Sequence, residues 1–388
     1  MSAAGSDRTR EFEAAGLLEG LDDGAREARL ALLDDLAAEG VSVDEMKQAL
    51  DEARLALLPV DRALAPRPEY TAEEVGERAG LPAELLLKMR QAAGIASPLP
   101  QERSFDDQDV EAARAFARLR EWGIPDEDLL EVTRVLGAGI AQAAEAMRMT
   151  MARLLLGSGD ERETAARNAA ATRELLPLVT PLMEYTLRLH IRDQVRNQQF
   201  GLLELSEGAS PALRHVFVAF VDMVGFTRLG ERVEAHELGG LVTRLNDLAL
   251  ETVRPPVRLV KTIGDAAMLV SPAAEPLVET SLALVEAAED QVEEFPPLRA
   301  GLAGGVALSR GGDWYGRPVN LASRVTAVAR PASVLATKEV RDAAGDRYSW
   351  SRAGRWELKG FRERVPLYRA RRAEEVEQVP EPAGSAPR

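Results

Sequence analysis

The chain has 388 residues, enough for two domains with cores of their own. Its 63 acidic residues against 48 lysines and arginines give a net charge of −15, which opposes unaided binding to a nucleic-acid backbone or an anionic membrane. Cysteine is absent, which excludes disulfides, thiolate metal sites and cysteine nucleophiles, and three scattered histidines, His190, His215 and His236, are too few for a multi-histidine zinc site.

Residues 1–10 read as disordered, and the opening MSAAGSDRTREFEAAG lacks the apolar core of a signal peptide. No stretch approaches the roughly 18 uninterrupted apolar residues of a membrane span, so a soluble, cytoplasmic protein is expected. Residues 11–58 repeat leucines at helical spacing, and Ser42 with Glu45 forms a capping-box pattern. Three prolines, Pro59, Pro66 and Pro68, then mark a joint. Residues 70–122 open on a second capping box, Thr71 to Glu74. From 126 to 199 the pattern is helical, with punctuation at Gly137, Gly157, Gly159, Pro177 and Pro181. Its last part carries an apolar stripe, Met183, Leu187, Ile191 and Val195, beside a basic one, Arg188, Arg192 and Arg196. Two such edges suit a helix that docks on a partner surface or its own symmetry mate, and equally suit a bundle helix with a solvated basic face.

After a polar junction at 198–211 the grammar changes. The apolar run 216–221 reads as a buried strand ending on Asp222, followed by Gly225, Phe226 and a long helix over 228–254. Strands are expected at 257–260 and 266–270 around a turn bearing Asp265, a helix at 277–295, a strand at 298–308 and a helix at 319–329. Shorter strands follow at 334–336, 348–350, 355–357 and 367–370. Strand, helix, hairpin, helix, strand is the ferredoxin-like order. In such a sheet the first strand and the hairpin are neighbours, so Asp222 and Asp265 converge from separate loops. Two carboxylates with phosphate oxygens suit one or two Mg²⁺ ions, although Asp265 taken alone reads rather as a plain turn residue. Residues 373–388, rich in proline and acid, read as a disordered tail.

Four segments, FVDMVGFT, KTIGDAAM, LRAGLAGG and GDWYGRPVNLASR, stand in the order and spacing of the class III nucleotidyl cyclases, and residues 212–372 resemble that catalytic domain. The resemblance implies an α+β protein: an all-helical N-terminal regulatory domain over 11–182, a linker helix and junction over 183–211, and a ferredoxin-like cyclase domain. It implies metal binding by Asp222 and Asp265, taking two Mg²⁺ or Mn²⁺ ions per site. It places Gly225 and Phe226 in the nucleotide loop, Arg299 and Lys359 on the outer phosphates, Asn320 on the ribose and Arg324 on the transferring phosphate. Lys261 and Asp313 match the pair that reads adenine: lysine donates to ring N1 and aspartate accepts from the exocyclic amine, which favours ATP over GTP. The family divides these groups between two chains, so a homodimer is implied. The product would be 3′,5′-cyclic AMP with pyrophosphate.

Residues 70–122 resemble the helix-turn-helix half of MerR-type regulators, but they hold more acid than base, with no basic stripe for a DNA groove. A DNA-binding regulator with a degenerate cyclase domain is therefore the lesser alternative, and no nucleic-acid partner is expected. Gly311, Gly312 and Asp313 resemble part of the GGDEF diguanylate cyclase motif, but Trp314 and Tyr315 replace its last two residues. The helical region followed by a cyclase domain also resembles the autoinhibited, pH-responsive adenylyl cyclases of actinobacteria. That makes the N-terminal domain the place for an inhibitory switch and for a small-molecule or lipid ligand, with His190 on the linker helix and His215 and His236 flanking the first catalytic strand as the groups expected to change charge in mild acid.

Overall fold

The computed structural model describes residues 3–64, 68–99, 101–155, 160–197, 213–291 and 295–373. The chain divides into two compact units, Met1–Arg192 and Asp193–Arg388.

The first unit is helical throughout its described residues. Helix α1 (Ala3–Ala14) occupies most of the segment expected to be disordered, because Phe12 at its end is buried with Leu17, Leu32, Leu33 and Met46. Helices α2 (Asp23–Ala38), α3 (Val43–Asp51) and α4 (Leu58–Leu64) complete that cluster. The Asp22 and Ser42 side chains accept from the backbone N–H three residues on, satisfying donors that a helix start leaves free. Helices α5 (Ala72–Ala79), α6 (Ala83–Ala92) and α7 (Asp107–Glu121) form a second small core around Val75, Leu86 and Phe105. The helix-turn-helix packing is therefore present, with left-handed Gly80 turning the chain between α5 and α6.

Helices α8 (Asp126–Leu155) and α9 (Glu161–Asn197) are far longer than the glycine and proline punctuation suggested. Gly137 is a contact point, not a break: a Cβ there would lie 2.5 Å from the Ala93 carbonyl oxygen, so its absence lets α8 lie against the end of α6. Pro177 and Pro181 lie inside α9, whose apolar residues Leu178, Leu182, Leu187, Ile191 and Val195 are exposed. The expected junction at 198–211 and the tail beyond Ala373 fall almost wholly outside the described residues. No helix among the described residues is long and apolar enough to cross a membrane.

The second unit is an eight-stranded sheet of order β2-β3-β1-β4-β6-β8-β7, with β5 beside β4. Its strands are β1 (Leu213–Met223), β2 (Arg258–Ile263), β3 (Ala266–Ser271), β4 (Leu298–Arg310), β5 (Asp313–Tyr315), β6 (Ser333–Thr337), β7 (Tyr348–Trp356) and β8 (Val365–Arg372). The first four, in the antiparallel order 2-3-1-4, are the ferredoxin-like core. Strand β1 is central and covered on both faces, which is why its sequence is a continuous apolar run. Helices α11 (Ala235–Thr252), α12 (Ala274–Glu289) and α14 (Lys338–Ala344) contribute Leu245, Leu277 and Val340 to the core on one face. Helix α13 (Arg317–Val328) packs Leu321, Ala322 and Val325 into the core on the other.

Two local features differ from the sequence expectation, and a third adds to it. The long helix after Asp222 is two helices, α10 (Phe226–Leu229) and α11, because the chain leaves helical geometry after Gly230 and restarts beyond extended Glu234. The two strands expected near 348 and 356 are one strand, β7, kinked by a register shift between Arg352 and Gly354, where Gly354 has φ 101°. The glycines before Asp313 make a two-residue hairpin: Gly311 and Gly312 have φ 59° and 78°, and Arg310 pairs with Asp313.

Candidate active site

Asp222 sits at the last paired position but one of β1, opposite Ala266 on one side and Arg299 on the other. Asp265 lies in the β2–β3 turn, where Gly264 takes φ 58°, and its carbonyl accepts from the Met223 N–H at 3.0 Å. The hairpin and the end of β1 are thus tied by backbone, and the two carboxylates come together as the topology predicts. Arg299 donates to Asp222 Oδ2 from Nε at 2.8 Å and from Nη2 at 2.6 Å. Burial pushes the Asp222 carboxyl up from its ordinary value; Arg299 opposes this and the charge of Asp265 adds to it. Two neighbouring carboxylates with one guanidinium, held by Asp222 alone, leave negative charge that a hard divalent cation would relieve, and oxygen donors are its preferred ligands. Among the described residues no third histidine or carboxylate joins them, so phosphate oxygens and water would have to fill the remaining positions.

Gly225 holds φ 81° and starts α10, and Phe226 packs its ring against the core. The Phe226 side chain is therefore committed to packing, and its contribution to a ligand would be the free N–H of a helix start.

Lys261 follows a bulge in β2, a register shift that sets where its side chain emerges. Its ammonium is ion-paired with Asp313 Oδ2, while Asp313 Oδ1 accepts from its neighbour's N–H, Trp314, at 2.8 Å. The two residues expected to read a base are brought together across 52 positions of sequence and satisfy each other.

Asn320 and Arg324 are four apart on one face of α13 and line an open cleft of about 900 Å³ with Lys359. Residues of this cleft missed by the sequence reading are Arg317, one turn before Asn320, and Arg362 and Arg364, in the loop before β8. The signal was there in FRER, which brings two arginines within five residues of Lys359. Neither Asp222, Asp265 nor Arg299 lines this cleft. Helix α13 is seated by a close approach: a Cβ on Gly301 of β4 would lie 2.1 Å from the Thr326 backbone nitrogen. The Thr326 hydroxyl shares its proton between the Ala322 carbonyl of its own helix at 2.8 Å and the Phe220 carbonyl of β1 at 3.2 Å, a further tie of α13 to β1.

Comparison with known proteins identifies the two domains and the family. Residues 10–195 match the adenylate cyclase regulatory domain, and residues 209–371 the adenylate and guanylate cyclase catalytic domain. The chain belongs to the class III cyclase family, as an adenylate cyclase with an N-terminal regulatory domain. It is 40% identical over 379 residues to the pH-sensitive adenylate cyclase MT1302 of Mycobacterium tuberculosis (strain CDC 1551 / Oshkosh), covering 95% of this chain and 94% of that one. The adenylate cyclase of Streptomyces griseus is 32% identical over 268 residues, 69% of this chain and 66% of that one. A solved adenylyl cyclase from P. aeruginosa, CyaB, matches 42% of this chain and 96% of its own at 20% identity, with a TM-score of 0.34. The regulatory-domain match spans residues 70–122, so the DNA-binding alternative finds no support.

Proposed function

We propose that the chain converts ATP to 3′,5′-cyclic AMP and pyrophosphate at sites shared between the two chains of a homodimer. The observation that carries this reading is the division of the site. Asp222, Asp265 and Arg299 gather at the end of β1, while Asn320, Arg324 and Lys359 line a cleft that includes none of them. Each half lacks what the other has, as expected if a second chain completes it. When bound, Mg²⁺ or Mn²⁺ at Asp222 and Asp265, two ions per site, would lower the pKa of the ribose 3′-hydroxyl and neutralise phosphate charge.

The chain's own groups orient and stabilise. Lys261 and Asp313 exchange their mutual ion pair for the N1 and exocyclic amine of adenine. Asn320 holds the ribose so that its 3′ oxygen lies in line with the α-phosphorus. That oxygen forms the new ester bond to the α-phosphorus and loses its proton to solvent as the bond from the α-phosphorus to the bridging oxygen breaks, releasing pyrophosphate. Arg324 stabilises charge on the α-phosphoryl oxygens, and Arg299 and Lys359 take the leaving pyrophosphate. The backbone of Gly225 and Phe226 supplies N–H groups to the phosphates.

The N-terminal unit is proposed to inhibit this reaction and release it in mild acid; the M. tuberculosis relative is named as pH-sensitive. His215 offers Nε2 to Glu339 at 2.9 Å, and its ring meets Phe217 edge-on. His190 is exposed on α9, and His236 is exposed in the first turn of α11 near Glu237. A cytoplasmic location fits ATP as substrate. A small-molecule or lipid ligand of the N-terminal unit has no support and is not proposed.

The test is complementation. Asp222→Ala and Arg324→Ala, each inactive alone, are mixed and allowed to exchange subunits. One intact site per mixed dimer should restore cyclic AMP formation; no recovery after verified exchange refutes the shared site.

A further inference from the structure

The cleft beside α13 holds more positive charge than the reaction assigned to it uses. Its lining includes Arg317, Arg324, Lys359, Arg362 and Arg364, against one carboxylate, Glu363. Among the described residues none of these five cations has a carboxylate partner, in a chain whose net charge is −15. Elsewhere arginines on this domain do pair: Arg347 with Glu275, and Arg372 with Glu279 and Glu286. Neighbouring cations without counter-ions repel one another, and a polyanion relieves that repulsion.

The platform is also fixed in place. Leu358 is buried at 3% exposure, and Phe361 and Val365 pack against the same core as α13. The Phe361 N–H donates to the Leu358 carbonyl at 3.0 Å, and the Arg364 carbonyl accepts from Arg355 Nη2 at 3.5 Å. The Arg317 guanidinium lies 5.4 Å from the Phe361 ring centre, joining the start of α13 to the loop. Arg317, Asn320 and Arg324 follow at spacings of three and four, so Arg317 continues the face that carries the reaction groups.

Resting on the cyclase reading of the same cleft, we infer that Arg317, Arg362 and Arg364 form a polyphosphate subsite that holds the pyrophosphate end of the nucleotide and retains pyrophosphate after cyclisation. Arginine forks bind phosphate oxygens in pairs, and three of them around one cleft suit a diphosphate better than a single phosphate. Arg362 and Arg364 are exposed loop side chains, so their replacement leaves the core intact.

The experiment measures pyrophosphate and orthophosphate binding to the metal-free full chain by calorimetry, and pyrophosphate inhibition of the metal-loaded enzyme. For Arg362→Gln/Arg364→Gln, pyrophosphate affinity should fall on the order of tenfold per arginine. The inhibition constant and the KM for ATP should rise together. In Arg324→Ala the loss should fall on kcat instead. Arg362→Lys should recover part of the affinity, and Arg352→Gln/Arg371→Gln, an equal loss of charge on β7 and β8, should leave pyrophosphate binding in place. Unchanged pyrophosphate affinity in the Arg362/Arg364 variant, or an equal loss in the Arg352/Arg371 control, overturns the subsite while leaving the cyclase reading untouched. A chain that makes no cyclic nucleotide yet loses pyrophosphate binding on these substitutions retains the subsite and refutes the reaction.

Discussion

Substituting Gly301 by alanine tests how tightly the reaction face of α13 is tied to the sheet. The added Cβ would lie 2.1 Å from Thr326 N, 2.5 Å from Thr326 Oγ1 and 2.7 Å from Thr326 Cα. Ordinary contact begins near 3.5 Å, so α13 must retreat by about 1 Å or more, and a backbone atom offers no rotamer by which to yield. Two costs follow. Overpacking of this kind costs about 3 kcal/mol, which for a domain of this size lowers Tm by roughly 6–12 °C. The second is positional: Arg324 lies two residues before Thr326, and a shift of about 1 Å in a reacting group costs on the order of 10²-fold in rate. Thermal unfolding and cyclic AMP formation from radiolabelled ATP would be measured on the purified variant. Gly239→Ala in α11, where the new Cβ meets nothing within 4 Å, is the control and should be neutral or slightly stabilising. A Gly301→Ala protein with wild-type Tm and turnover within threefold would refute the claim that this contact positions α13.

Other expectations follow from the same geometry. Asp222→Ala and Asp265→Ala should abolish cyclic AMP formation in folded protein, and Arg324→Ala should lower kcat by on the order of 10²-fold or more; near-normal turnover in any of them would remove its assignment. Lys261→Glu with Asp313→Cys should weaken ATP use and admit GTP, and unchanged ATP turnover would mean that this pair does not read the base. A chain starting near Leu205 should be more active at neutral pH than the full chain and have a flatter profile; an unchanged profile would make the N-terminal unit a passive scaffold. In that shortened chain an acid limb should remain. Burial raises the Asp222 pKa in the metal-free protein, so protons compete with the cation for this carboxylate as pH falls towards the carboxylate range, and activity falls there at sub-saturating metal. Activity held constant down to that range would contradict this.

The catalytic sheet was legible because its signals are local. A continuous apolar run can only be a strand covered on both sides, and Asp222 and Asp265 end elements that the ferredoxin-like order makes neighbours. Asn320 and Arg324 were legible through the family resemblance, and their spacing of four then put them on one helix face. The β2 bulge before Lys261 was not legible, since one extra residue in a strand leaves no mark in an apolar alternation. Nor was the Arg299 contact with Asp222, set by cross-strand register. In the N-terminal unit the reading failed where tertiary packing overrode local preference. Gly137 suggested a break and instead admits a neighbouring backbone, and α9 runs through two prolines. The opening residues looked too polar for order, but Phe12 supplies the buried anchor that seats α1.

The guanidinium of Arg299 already occupies one oxygen of Asp222, and this couples events that would otherwise be independent. A nucleotide that draws Arg299 onto its phosphates exposes the carboxylate, and a cation that takes the carboxylate frees the arginine. Each arrival therefore favours the other by the same factor, because linkage is reciprocal for equilibrium binding. The order of assembly then depends on whichever ligand is scarcer, and Mn²⁺ alone should bind weakly to the full chain. A non-hydrolysable ATP analogue should tighten that binding, and Mn²⁺ should tighten the analogue in equal proportion. Replacing Arg299 by methionine, which keeps bulk and removes charge, should raise the affinity for the bare ion and reduce the coupling to the part that phosphate oxygens on the ion supply.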